Sequence, residues 1–484
     1  MKRTIILLFL AVSASLAAQQ AIVARGSETK NVSPENLASG FYVGMHDNAD
    51  CWIFEGKKDV KQLVVTNQNL EALRLVEIPD SRNAKVLTAA IDGNTATVIM
   101  TDDSKKERTL VLRHTVDLTT GTVGTVPDTL QNITYGRKDE CMVWGTTSPD
   151  GKLIALVSIV VFTQQKQYHS EISLLSANGD ELWGKEFALG SMSNLFVTNE
   201  GRIVTFGIEP EGEETHFIFN VLSQYKDAAY SVAVKCDPIR EMKLVNVIGN
   251  HALVLGTINP PEKDPAKNFT GGTIGLSFDV DHAALTGFFM RPLQNEDMNI
   301  LYNKKTKKMQ RDQYADHVET LAYTPTPFGA AMVVSRCFTE TITDDAGDLV
   351  EARKSVGLHM VAIDTLGKVK WIRNFRRNDI SKGTDYLLGV GLTTTNKGLA
   401  LVKAEHPKFP ATYDIANDAK KYVVGDKSNL VVYTIADNGD VSKLVVESKA
   451  KQTHMRTLKR PDGTLLFLSA RGKKVRTATL KFVD

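Results

Sequence analysis

DVDH at Asp279 to His282 and DQYADH at Asp312 to His317 each set carboxylates beside an imidazole, the donor types that hold a divalent cation. The same spacings suit a hairpin turn and a helix end, and the two stretches are read that way, so no metal site is assigned. TGGTIG at Thr270 to Gly275 is glycine-rich enough to suggest a phosphate cradle, but the Lys and helix that a cradle needs do not follow it. No G-x-S-x-G nucleophile turn occurs. The ten histidines show no repeated spacing that would single one out as a general base. Cys51, Cys141, Cys236 and Cys337 lie too far apart for zinc-ligand spacing and are expected as separate buried thiols. No catalytic residue and no cofactor is assigned. An enzyme would have to gather carboxylates or imidazoles from several strands into one pocket, which leaves no local motif.

The elements that must position any such site recur along the chain. AAIDGNTATVIM around Gly93, TSPDGKLIALVS around Gly151, VTNEGRIVTFGI around Gly201, TPTPFGAAMVVS around Gly329, TTTNKGLALVKA around Gly398 and KRPDGTLLFLSA around Gly463 all place a turn before an apolar strand. Gly249-Asn250 and His46 to Asp50 occupy the same place more loosely, which makes eight. Glycine suits a tight hairpin because the turn wants positive φ, which a Cβ penalises. A second hairpin follows each first one, as in LLSANGDELWGKEF and MVAIDTLGKVKWIRNF. The strand after the first turn is apolar on both faces, whereas the last alternates, with Val369, Trp371 and Phe375 opposite Lys368 and Lys370. Four strands graded from buried to wetted, repeated radially, describe a propeller blade.

The expected fold is therefore all-β: a single β-propeller of eight four-stranded blades, starting near Phe41, Lys85, Cys141, Ser193, Leu244, His317, Tyr386 and His454. Seven is the alternative, if the first unit is not a true blade. The last unit has only three strands, and the N-terminal segment Gln19 to Arg25 is expected to supply the fourth and close the ring.

SPDGKLIALVS and RPDGTLLFLSA resemble the TolB-type, WD-like propeller repeat. LLSANGDELWGKEF and VAIDTLGKVKWIRNF are similar to the quinoprotein-type repeat, where a Gly turn precedes a Trp by four residues, here Gly179 to Trp183 and Gly367 to Trp371. The resemblance implies architecture. The adjacent cysteines that quinoprotein dehydrogenases use for their quinone do not occur here, so Trp183 and Trp371 are expected between blades.

Long insertions fall only in connections that reach one face of the disc: 259–272, 291–316, 338–355, 376–385 and 404–428. They belong to blades five to seven, and clustered insertions on one face are where repeat proteins commonly carry function. Candidate partner-binding residues there are Tyr302, Lys304, Lys305, Lys307, Lys308, Arg311 and Tyr314 in the first long crossover. Arg376, Arg377, Phe409, Tyr413 and Tyr422 add charged and amphipathic anchors from the later ones.

Residues 1–18 read as a secretory signal peptide, with Lys2 and Arg3 before an apolar run and small residues before the cleavage point, and residues 19–484 as the propeller. Its AAQ ending is similar to those of exported Bacteroidota proteins. No later apolar run approaches the roughly 20 residues of a spanning helix. Lys plus Arg at 58 against Asp plus Glu at 56 gives +2, so no global field attracts nucleic acid. The expectation is an exported scaffold, in the periplasm or at the cell surface, that holds a protein or glycan partner on its insertion-rich face. The alternative is a glycan-active hydrolase or lyase at the mouth of the central channel.

Overall fold

Tight turns set the architecture. Gly93, Gly151, Gly201 and Gly463 take φ of +54°, +73°, +81° and +81°, and Asp47 and Asn48 do the same in the first blade at +48° and +63°. The computed structural model describes residues 21–482 except 30–31, 83, 125, 166, 188–190, 212, 261–268, 304–314, 344–346, 383–388, 396–397, 410–412, 414–420, 424–426, 451–452 and 472.

The strands form eight four-stranded antiparallel units in chain order. Their innermost strands are Phe41–His46, Lys85–Asp92, Glu140–Thr147, Asn194–Val197, Ile239–Ile248, Val318–Thr326, Gly391–Thr395 and Thr453–Lys459. The protein is an eight-bladed propeller. The N-terminal strand Ala21–Thr29 runs antiparallel to Lys474–Phe482, from Ala21 opposite Phe482 to Thr29 opposite Val475, and completes the eighth blade.

Second strands are buried on both faces, as Ile154 to Val160 shows, whereas the outer strand Asp227–Val234 alternates between exposed and half-buried. The core is a series of seams between neighbouring blades. Phe206 and Phe219 of blade four meet Val254 and Phe278 of blade five, with the Phe219 and Phe278 rings stacked 4.4 Å apart. Trp371 packs on Leu399 and Leu401 of blade seven, and Trp183 lies against Val197 and Ile203 of blade four, so both indoles sit between blades. Gly439 leaves room for this, since a Cβ there would come within 2.9 Å of the Trp371 ring.

Closure between blades eight and one joins Trp52 and Phe54 to Leu466 and Leu468. At this seam Arg460 donates from Nε to Asp50 Oδ1 at 2.9 Å and from Nη2 to Oδ2, and the Tyr42 hydroxyl donates to Asp50 at 3.1 Å. The four cysteines are free thiols, with Cys51 and Cys337 buried.

Blade six departs from the others. Its strands Gly329–Thr343, Leu349–Asp364 and Val369–Lys382 run far past the innermost strand, and residues 338–355, expected as a loop, are paired from Arg336 opposite Val356 to Thr343 opposite Leu349. The reason is visible in FTETIT, where Phe338, Glu340 and Ile342 alternate with β-branched threonines. A short strand, Tyr422–Val423, lies parallel to Asp379–Ile380 on the outer edge.

Candidate functional site

The insertion side of blades five to seven is built on a network of buried charges. It starts at the helix Asn295–Leu301, whose first turn carries a reciprocal cap between Gln294 and Asp297. Asp297 is 1% exposed. Its Oδ2 accepts from Arg291 Nη1 at 2.7 Å and from the Gln294 backbone at 2.8 Å, and its Oδ1 accepts from Asn374 Nδ2 at 2.9 Å. His359 Nδ1 lies 3.2 Å from the same Oδ1 and 2.8 Å from Asn374 Oδ1, which makes Nδ1 the protonated nitrogen. Burial pushes the Asp297 carboxyl upward, but His359, Arg291 and Asn374 outweigh it and hold the group below the usual carboxylate range.

The helix sits so close because blade six offers no side chain at Gly357. This residue has φ +64° at a bulge, and a Cβ there would lie 2.3 Å from the Ile300 carbonyl oxygen. Arg376 Nη1 donates to the Asn299 carbonyl at 3.1 Å, and the Arg376 carbonyl accepts from Lys403 Nζ at 2.7 Å. Lys403 is 2.9 Å from Glu405 Oε1, Lys443 donates to Oε2 at 2.5 Å, and the Tyr433 hydroxyl donates to Oε1. Burial pushes the Glu405 carboxyl up, yet the two lysines pull harder and leave it below its ordinary value. Arg377 Nε donates to Asp379 Oδ2 at 2.6 Å. At the neighbouring innermost strand, His454 is driven down to about 3 by burial and by the Arg377 charge.

The network absorbs several residues expected to meet a partner. Arg376 and Arg377 are 6% and 3% exposed, Phe409 9% and Tyr422 1%. Phe409 lies beneath Lys403 and Lys443, at 5.7 and 5.0 Å from its ring. The Tyr413 hydroxyl donates to the Asn374 carbonyl at 2.7 Å, with its ring against Phe375 and Tyr433. Tyr302 caps the helix, donates to Asp316 Oδ1 at 2.8 Å and is overlain by the Arg336 guanidinium at 4.4 Å. These side chains therefore anchor the insertions. Lys304, Lys305, Lys307, Lys308, Arg311 and Tyr314 lie outside the described residues.

Asp297, His359, Asn374, Lys403, Glu405, Lys443 and His454 belong to no motif in the sequence. One signal was present. In LALVKAE, Leu399, Leu401, Lys403 and Glu405 share one face of a strand, so the buried side ends in charges. The DVDH turn is structural: Asp279 Oδ1 accepts the backbone N–H groups of Asp281 and His282, both at 3.0 Å, and Oδ2 meets the His282 ring at 2.9 Å.

What the described insertion side presents outward is the raised hairpin of blade six. Thr339, Thr341, Thr343 and Glu351 are exposed along it, and Leu349 at its tip is 76% exposed. Phe338 is held between Arg336 at 4.2 Å and Lys354 at 5.6 Å from its ring. A cleft of about 450 Å³ opens on the other face, between the turns of blades four and five, where Arg202 and Asp281 pair at 3.1 Å. Among the described residues no helix is long and apolar enough to cross a membrane.

No protein-family description matches the chain, and no curated protein matches it. Solved structures do. The WD40 domain of SCAP from fission yeast is similar at 10% identity and TM-score 0.38, over 96% of this chain and 98% of that one. The β-propeller domain of the Trilobed protease from Pyrococcus furiosus, which has an open velcro topology, is similar at 11% identity and TM-score 0.33, over 72% and 84%. Prolyl oligopeptidase B from Galerina marginata is similar at 7% identity and TM-score 0.39, over 93% of this chain and 56% of that one. The likeness is one of architecture alone.

Proposed function

We propose that this propeller is an exported binding scaffold, in the periplasm or at the cell surface, that holds a protein or glycan partner on the insertion side of blades five to seven. One observation carries the reading: blade six raises a hairpin beyond its innermost strand, from Arg336 opposite Val356 outward, and its base is fixed among the ion pairs Arg291–Asp297 and Lys403–Glu405. A rigid base beneath an exposed tip is what a preorganised contact surface requires.

The test must spare that base. Replacing Thr341 to Glu351 by Asn-Gly joins the strands where Glu340 faces Ala352 and touches no member of the network. Affinity purification from crosslinked envelopes, with mass spectrometry, should recover a partner with the wild-type chain and lose it with the shortened one. If the shortened chain brings down the same partners, the reading is wrong.

A second reading, a glycan-active hydrolase or lyase, draws on the pair Asp379 and Glu405. Burial pushes the Asp379 carboxyl up against Arg377 and Lys403, whereas Glu405 is held down, and opposed carboxyls are what acid–base work on glycosides uses. Both are more than nine-tenths buried, at 6% and 4% exposure. Glycan turnover that vanishes in Asp379→Asn, with fold retained, would favour this reading over the scaffold.

A further inference from the structure

Blade three carries a convergence that the sequence does not show. His169 and Glu171 stand two residues apart on the strand Gln167–Ser176 and so share a face. Glu186, at the end of the outer strand Glu181–Glu186, is directly opposite Glu171 in the register. One ligand atom from each of the three lies within 4.8 Å of the others, and His169 Nε2 is 3.6 Å from Glu171 Oε1.

Two carboxylates directly across a strand pair repel each other. Among the described residues only the His169 imidazole comes within ion-pair distance of either one. The neighbouring Lys185 is committed elsewhere, with its Nζ 2.8 Å from Asp227 and donating to the Ser223 carbonyl. The trio thus combines two negative charges, an imidazole nitrogen and a paired strand frame that fixes the Cα positions, while His169 and Glu171 keep side-chain exposures of 42% and 44%.

We propose that His169, Glu171 and Glu186 bind one divalent transition-metal ion of the zinc class. The ion takes one imidazole nitrogen and two carboxylate oxygens, and water completes its shell. Charge balance calls for a dication. The imidazole favours zinc and its neighbours over calcium and magnesium, which take oxygen ligands. The trio belongs to blade three and not to blades five to seven, so this site stands or falls apart from the partner-binding reading.

The test is isothermal titration of the untagged mature chain, stripped with a chelator and dialysed, with zinc chloride. One ion per chain should bind, and Glu171→Gln with Glu186→Gln should weaken binding by at least about tenfold, the lower bound set by changes to groups that only support ligands. With copper(II) as the probe, the nitrogen coupling in the electron paramagnetic resonance spectrum should disappear in His169→Ala. Absence of saturable uptake by the wild-type chain, or equal affinity in the double variant, would overturn the proposal. The variants are surface changes, so an unaltered thermal transition shows that lost binding is not lost fold.

Discussion

Blades two to four and blades five to seven bury polar groups in different ways. Among the described residues, blades two to four bury threonines, serines, His114 and Asn220 but no Asp, Glu, Lys or Arg. Blades five to seven bury Asp279, Asp297, Arg376, Arg377, Asp379, Lys403, Glu405 and Glu447. Hydroxyls suffice where short turns join the strands. Asp279 in its short turn apart, insertions that fold back over the disc bring backbone and side-chain charges inside with them, and these are tolerable only when paired and hydrogen-bonded. Burying charge is a poor route to stability, so the network is better understood as fixing where the insertions lie.

Breaking the network should therefore have the largest effect. Glu405→Ala leaves Lys403 and Lys443 without their shared carboxylate and should cost about 3–5 kcal/mol in urea unfolding. Asp128→Ala, which removes the 61% exposed partner of Arg113 in blade two, should cost under about 1 kcal/mol. Similar losses at the two sites would remove the distinction between the halves.

The second effect tests how the first insertion is seated. Gly357→Ala combines a positive φ with a Cβ 2.3 Å from the Ile300 carbonyl, and should cost about 2–5 kcal/mol, the sum of a left-handed-backbone term and an overpacking term. It should also raise hydrogen exchange in Asn295–Leu301 more than in blades two to four. Uniform exchange across the ring would argue against a locally seated helix.

How much of this was legible follows from where each signal resides. Repeats at turns such as Gly93, Gly151 and Gly463 are local, and they yielded eight blades and closure by the N-terminal strand, with innermost strands beginning close to the expected positions. Leu244 and Tyr386 stand further off, each by five residues, because the innermost strands of blades five and seven begin at Ile239 and Gly391. In the sequence the hairpin of blade six looks like a loop because threonine and glutamate in FTETIT count as polar, although their period is that of a strand. Apart from the charged end of LALVKAE, the network leaves no local signal, because Arg377, Lys403, Lys443 and His454 come from three blades, and a charged residue in a linear sequence reads as solvated. Register hid the trio on blade three in the same way, since Glu186 meets Glu171 only across a turn.

The third effect is a pH slope. His454 is neutral in the folded chain, with its pKa lowered to about 3, so the unfolded chain binds the extra proton below about 6.5. Its stabilisation is present above that value and is lost as pH falls, on the order of 2 kcal/mol between pH 7 and pH 5. Asp297 also has a lowered pKa, but its share is lost only below about 4, where the unfolded carboxyl protonates, which separates the two windows. His454→Leu should flatten the slope of urea stability between pH 7 and 5. His114→Leu in blade two should flatten it less, because Asp80 and Asp128 oppose the downward push of burial there. Equal changes would mean that Asp80 and Asp128 do not offset burial at His114.

The smallest effect concerns the turn in TTSPDGKLIALVS. Gly151 has φ +73°, and a Cβ added to it would meet nothing within 4 Å. Gly151→Ala should therefore cost only the left-handed backbone term, about 1 kcal/mol, and Gly151→Asn less, since asparagine tolerates that region. Partner capture should not change with either substitution, because the turn lies on the face away from the insertions. A loss above about 3 kcal/mol, or any loss of partner, would mean that this face is packed or occupied, and the plain half of the ring would no longer be plain.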